Sequence, residues 1–141
     1  MNLSPHFTLE ELTITRQPMD NTPDKESLVN MTESLAPLLE KIRTILGYPM
    51  HINSGYRSPA VNKAVGGSPK SAHMSGYAAD FICPGFGTPL QIVRKLDASG
   101  LYFDQLIHEW TWVHISADPM LRRETLTAHF GPTGTTYTAG A

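Results

Sequence analysis

The chain is poor in residues that would tie it together covalently or hold it on a membrane. Its 141 residues include one cysteine, Cys83, so no internal disulfide can form. Cys83 reads instead as a small buried hydrophobe. No apolar run is long enough to span a bilayer. The opening Met1-Asn2-Leu3-Ser4-Pro5-His6 lacks a basic stretch followed by an apolar segment, so no signal peptide is expected. Charge of one sign is also scarce. A net charge of −2 with histidine neutral excludes both the footprint of a nucleic-acid binder and a polybasic membrane patch. A substrate must then be recognised by a shaped local site. The sequence has no internal repeat and no low-complexity linker. Gly-x-Ser-x-Gly and Ser-x-x-Lys are absent, which disfavours serine chemistry. The helical His-Glu-x-x-His motif is absent too.

What is present fits one globular domain. Hydrophobic residues make up 40% and charged residues 17%, the balance of a folded chain rather than a disordered one. Phe7 to Leu12 reads as a short helix with Thr8 as N-cap. A main helix is expected after Thr22, with Pro23 at its first position. Leu28, Met31, Leu35, Leu38, Leu39, Ile42 and Leu46 recur along it at helical spacing. Pro37 should kink or locally break it, and Gly47 and Pro49 should end it. Further on, Met50–Ser54, Tyr77–Cys83, Phe103–Glu109, Thr111–Ser116 and Arg122–Phe130 read as strands. Pro59–Val65 and Thr88–Ala98 read as helices, and Gly66-Gly67-Ser68-Pro69 as a loop. The class is α+β, a small and mainly antiparallel sheet flanked by helices. The domain is placed at residues 1–131, and residues 132–141, rich in Gly and Thr, are expected to form a flexible tail.

Two stretches carry the chemistry. In Ser71-Ala72-His73-Met74-Ser75-Gly76-Tyr77-Ala78-Ala79-Asp80, a carboxylate sits inside an otherwise apolar strand. Asp is depleted in strands and costly to bury unpaired, so Asp80 needs a partner, and a cation is one solution. In Glu109-Trp110-Thr111-Trp112-Val113-His114-Ile115, strand alternation places Trp112 and His114 on one face and Val113 and Ile115 on the other. Two imidazoles and one carboxylate make a catalytic zinc set with a fourth position left open.

Together these residues form a recognisable pattern. Ser54-Gly55-Tyr56-Arg57-Ser58-Pro59, Asn62, Gly66-Gly67-Ser68, Ser71-x-His73-x-x-Gly76-x-Ala78-x-Asp80 and Trp112-x-His114 resemble the M15 family of zinc D-Ala-D-Ala carboxypeptidases and related phage endolysins. The segment Ser4 to Leu12 is similar to the start of its small single-domain members. The resemblance implies the hedgehog/D,D-peptidase fold and zinc held by His73, Asp80 and His114. It implies a general base just upstream of the last ligand, where Glu109 is the best match. It also implies that Arg57 contacts substrate and the developing oxyanion. Ser71 and Tyr56 are expected to orient substrate or ligands, and Trp110 and Trp112 to wall the cleft. The expected substrate is a peptidoglycan stem peptide or other D-Ala-containing peptide, and the expected state a monomer. Without a signal peptide or wall-binding domain, the chain suits a phage or prophage lysis enzyme made in the cytoplasm and released onto the wall.

Each assignment has a plainer rival. His73 and Asp80 alone would fit a structural hydrogen bond. Glu109 would equally cap a strand end, and Arg57 would equally anchor the Asp80 region by a salt bridge. His108 is the rival base, but alternation turns it away from Glu109, which leaves an exposed or structural role. Tyr56 fits packing, and His6, His51 and His129 have no partner pattern. The alternative from another class is an inactive metal-stabilised binding or virion-structural module of the same fold; the presence of Glu109 and Arg57 beside the ligands argues against it.

Overall fold

The structure is a computed structural model that describes all residues, 1–141. The chain opens with a two-stranded ribbon of β1 (Asn2–Ser4) and β2 (Phe7–Thr8). Helix α1 (Leu9–Leu12) follows directly. Thr8 caps it reciprocally with Glu11: the Thr8 hydroxyl accepts from the Glu11 amide, and the Glu11 carboxylate accepts from the Thr8 amide. The expected N-cap is therefore correct, while Phe7 and Thr8 are extended rather than helical.

The main helical stretch begins later than Pro23. Helix α2 (Lys25–Asn30) is capped by Asp24, whose carboxylate accepts from the Ser27 amide at 2.8 Å. Thr22 is engaged elsewhere, donating to Asp20 at 2.7 Å, and this leaves Asp24 as the free capping oxygen. A π-helical turn, Met31–Leu35, joins α2 to α3 (Ala36–Leu46). Pro37 has no N–H to donate and its ring would crowd the preceding turn. The wide turn, closed by the Ala36 amide on the Met31 carbonyl, absorbs that conflict without ending the helix. Gly47, at φ 75°, terminates α3 in the left-handed conformation that glycine adopts without strain.

The remaining elements are β3 (His51–Ser54), α4 (Pro59–Ala64), a 3₁₀ turn (Ala72–Ser75), β4 (Ala78–Ile82), α5 (Pro89–Ala98), β5 (Gln105–His108), β6 (Val113–Ser116), β7 (Glu124–Gly131) and β8 (Gly134–Ala139). Six strands form one sheet in the order β3-β4-β6-β5-β7-β8. All neighbours are antiparallel except β5 and β7. The fold is thus α+β with a mainly antiparallel sheet.

Alternation along the strands divides the sheet into two faces. Ala79 and Phe81 of β4, Leu106 of β5, and Val113 and Ile115 of β6 enter the hydrophobic core. There they meet Leu38, Leu39, Ile42 and Leu46 of α3 and Ile92, Val93 and Leu96 of α5. Cys83 lies in the same core and is fully buried. The intervening residues Asp80, Ile107 and His114 face the other way and line a cleft. The apolar alternation that builds the core thereby also places the polar site on the opposite face.

Residues 132–141, expected as a flexible tail, instead supply β8. It pairs with β7 from Gly131↔Gly134 to Leu126↔Ala139. Thr135, Thr136 and Thr138 favour an extended backbone, and Gly134 at φ 123° makes the turn.

Candidate metal centre and cleft

Asp80 and His114 stand directly opposite each other in the β4–β6 ladder, the arrangement in which cross-strand side chains meet. His114 Nδ1 lies 2.9 Å from Asp80 Oδ1. His73 reaches the same carboxylate oxygen from the 3₁₀ turn, with its Nε2 at 3.3 Å. One ligand atom from each of the three residues lies within 4.8 Å of the others. His73 and Asp80 are buried, and His114 is mostly so. The strand thus buries a carboxylate, as the sequence indicated, and surrounds it with two imidazoles.

The imidazole of His73 is held in one orientation. Its Nδ1 lies 2.7 Å from the Gly55 carbonyl. That bond keeps the proton on Nδ1 and leaves the Nε2 lone pair free for a cation, as a metal-binding histidine requires. Gly55 is glycine for steric reasons, because a Cβ there would fall on the Leu12 carbonyl. The turn bearing His73 ends at Gly76, where φ is 77° and a Cβ would strike Ser27 of α2. Ser71 caps the same turn by accepting from the His73 amide at 3.2 Å.

Electrostatics follow from this crowding. Burial opposes charge on Asp80, but the adjacent imidazoles of His73 and His114 outweigh it and hold the carboxyl well below its usual range. Burial lowers His73 against the pull of Asp80. His114 is raised: burial disfavours its charge, but its bond to Asp80 and that residue's charge prevail. The donor set is therefore an ionised carboxylate with one neutral imidazole fixed in its tautomer, a set that suits a divalent cation with mixed N/O ligands.

Arg57 takes the plainer of its two expected roles, the salt bridge to the Asp80 region. Its Nη2 lies 3.4 Å from Asp80 Oδ2, so it anchors the carboxylate. Nε donates to Ser54 at 3.2 Å and Nη1 to Asn62 at 3.2 Å, while the guanidinium also lines the cleft. Asn62 in turn donates to the Ser68 carbonyl at 2.9 Å, which ties the Gly-rich loop to the arginine.

Glu109 follows β5 on the cleft side, beside His114 and Asp80. Its Oε2 accepts from Trp112 Nε1 at 2.8 Å. Burial pushes its carboxyl up, and the charge of Asp80 adds to the rise. His108 points the other way, as alternation required, but it is buried rather than exposed. Its ring packs on Trp110 with centroids 4.7 Å apart, and its buried Nδ1 has no hydrogen-bond partner.

Tyr56 does not join the site. It is buried in the hydrophobic core and is not among the cleft-lining residues, so packing is its observed role. Ser71 and Trp112 do line the cleft. Trp110 is largely exposed, and its Nε1 donates to the Ala128 carbonyl at 2.8 Å. His6, expected to be partnerless, contacts Glu40 at 2.7 Å on the surface. The sequence reading missed Phe130 and Tyr137, which line the cleft from β7 and β8. The signal available for them was an aromatic at each end of a Gly-Pro-containing turn.

No curated protein matches the chain. The family model described as Peptidase M15 matches residues 5–116, which take in His73, Asp80, Glu109 and His114. With most of its length covered and a potential His-Asp-His metal site within the matched span, this chain belongs to the M15 family of peptidases.

Proposed function

We propose that the chain is a zinc metallopeptidase that hydrolyses peptide bonds in peptidoglycan stem peptides. The observation that carries this reading is the convergence of His73 Nε2, the Asp80 carboxylate and His114 Nδ1 beside a half-buried glutamate within a peptidase family. Three protein ligands with an open fourth position distinguish a catalytic zinc site from a closed structural one. Zinc held there supplies an acidified water and polarisation of the scissile carbonyl.

The chain's own groups do the rest. Glu109 keeps one oxygen on the Trp112 N–H and has the other available to take the water proton. Its raised pKa brings it closer to the range in which a carboxylate both accepts that proton and returns it to the leaving amine. Arg57 is fixed by Ser54, Asn62 and Asp80 and lines the cleft. Its N–H groups not used in those bonds stabilise the developing oxyanion or hold a substrate carboxylate. Ser71 acts through His73, whose turn it caps.

The test is mass spectrometry of purified peptidoglycan fragments after incubation with the zinc-loaded protein, with chelated protein, and with chelated protein given zinc back. Cleavage at one stem-peptide bond, lost and then restored, is the expected result. Intact fragments in all three samples would overturn the substrate assignment.

A further inference from the structure

The metal cleft is larger than its ligands and Glu109 require. It encloses about 900 Å³, near the upper end of the roughly 300–1,000 Å³ of sites that take drug-sized ligands. Two alanine residues fill only a small part of that space. One wall comes from the β7–β8 hairpin, which lies wholly outside the family match at residues 5–116.

The hairpin presents aromatic faces to the cleft rather than to the core. Phe130 and Tyr137 are 57% and 51% exposed, yet both line the cavity with Glu109 and His114. Trp112, which holds Glu109, stacks obliquely on Phe130 with ring centroids 6.4 Å apart. Pairing of Phe130 with Thr135 and of Ala128 with Tyr137 puts these side chains on one face of the ribbon. The hairpin is also fixed in place. Trp110, at the tip of the β5–β6 turn, donates to the Ala128 carbonyl, and Thr127 donates to the Gly140 carbonyl at 2.7 Å. Half-exposed rings on a fixed scaffold that adjoins a reactive centre are poised to gain contact area when a ligand covers them.

We propose that Phe130 and Tyr137, together with Trp112, form a specificity wall that binds stem-peptide residues remote from the scissile bond. The wall selects extended wall peptides over the shortest cleavable fragment. This rests on the zinc-peptidase reading above and names the part of the substrate that the hairpin holds.

The experiment compares kcat and KM of zinc-loaded wild type on a sugar-free wall pentapeptide and on the shortest fragment of it that is cut. The same pair is measured for Phe130→Ala, Tyr137→Ala and the conservative Tyr137→Phe. Wild type should prefer the pentapeptide. Each alanine variant should lose about tenfold of that preference, chiefly through a higher KM. Tyr137→Phe should keep it, because the ring forms the wall. Melting curves exclude misfolding, and both positions are exposed enough to tolerate truncation. Equal losses on both substrates, or an unchanged preference in both alanine variants, would overturn the inference while leaving the peptidase reading intact. No cleavage of either substrate by wild type would instead refute the substrate reading, and the inference with it.

Discussion

His108 and Glu109 are chain neighbours with opposite surroundings. Glu109 opens onto the cleft with Trp112 on one oxygen. His108 is buried against Trp110, and burial holds its imidazole below its usual pKa, so it stays neutral. Of the two, only Glu109 lines the cleft, so the proposed proton transfer falls to it by location. Glu109→Gln should therefore fold and keep its metal while losing activity by ~10²-fold or more. His108→Gln should retain most activity. Rates measured beside circular dichroism and metal content decide the point; a dead His108 variant with an active Glu109 variant would reverse the assignment. The need of Asp80 for polar partners was legible in the sequence because a carboxylate within Ala78-Ala79-Asp80-Phe81-Ile82 has no inexpensive apolar explanation. Tyr56 was harder to read. Its neighbour Arg57 turns into the cleft while its own ring enters the core, and motif membership does not distinguish the two directions.

At the scale of elements, a buried carboxylate paired with arginine stands at the entrance of the parallel β5–β7 pair. Asp104 accepts from the Arg122 backbone amide at 3.1 Å and from Arg122 Nε and Nη2 at 2.9 Å each. Those bonds to Arg122 hold the Asp104 carboxyl below its usual range. A depressed folded-state pKa stabilises the fold fully above the unfolded value of about 3.9. The contribution is lost as pH falls through the lower folded-state value. The melting temperature should thus drop as the solution is acidified below about pH 4, and Asp104→Asn should flatten part of that drop while lowering stability at neutral pH. An acid limb of the same slope in the variant would contradict this role. Most elements were readable from periodicity, caps and turn residues. Strand β8 was not, because Gly and Thr also make unstructured tails. Its order comes from pairing with β7 and from the Trp110 bond, and neither is a local property of residues 132–141. The start of α2 was misplaced for a similar reason: Thr22 and Asp24 are both good caps, and the Asp20–Thr22 bond decides between them.

For the molecule as a whole, the three candidate ligands come from parts of the fold that are far apart in sequence. His73 belongs to a turn packed on α2, Asp80 to β4 and His114 to β6. No helix is long and apolar enough to cross a membrane, and with Cys83 alone there is no disulfide to cross-link these parts. A metal bound only by the native state would do so by mass action. Chelation should lower the melting temperature on the order of 10 °C, and added zinc should restore it. An unchanged melting curve would mean that the three side chains hold no ion. The most direct measurement is the zinc content of the purified protein by elemental analysis, wild type beside His114→Ala, each after incubation with zinc and removal of the excess. One zinc per wild-type chain and essentially none in the folded variant is the predicted result. A wild type that stays metal-free, or a variant that binds zinc as fully as wild type, would contradict it.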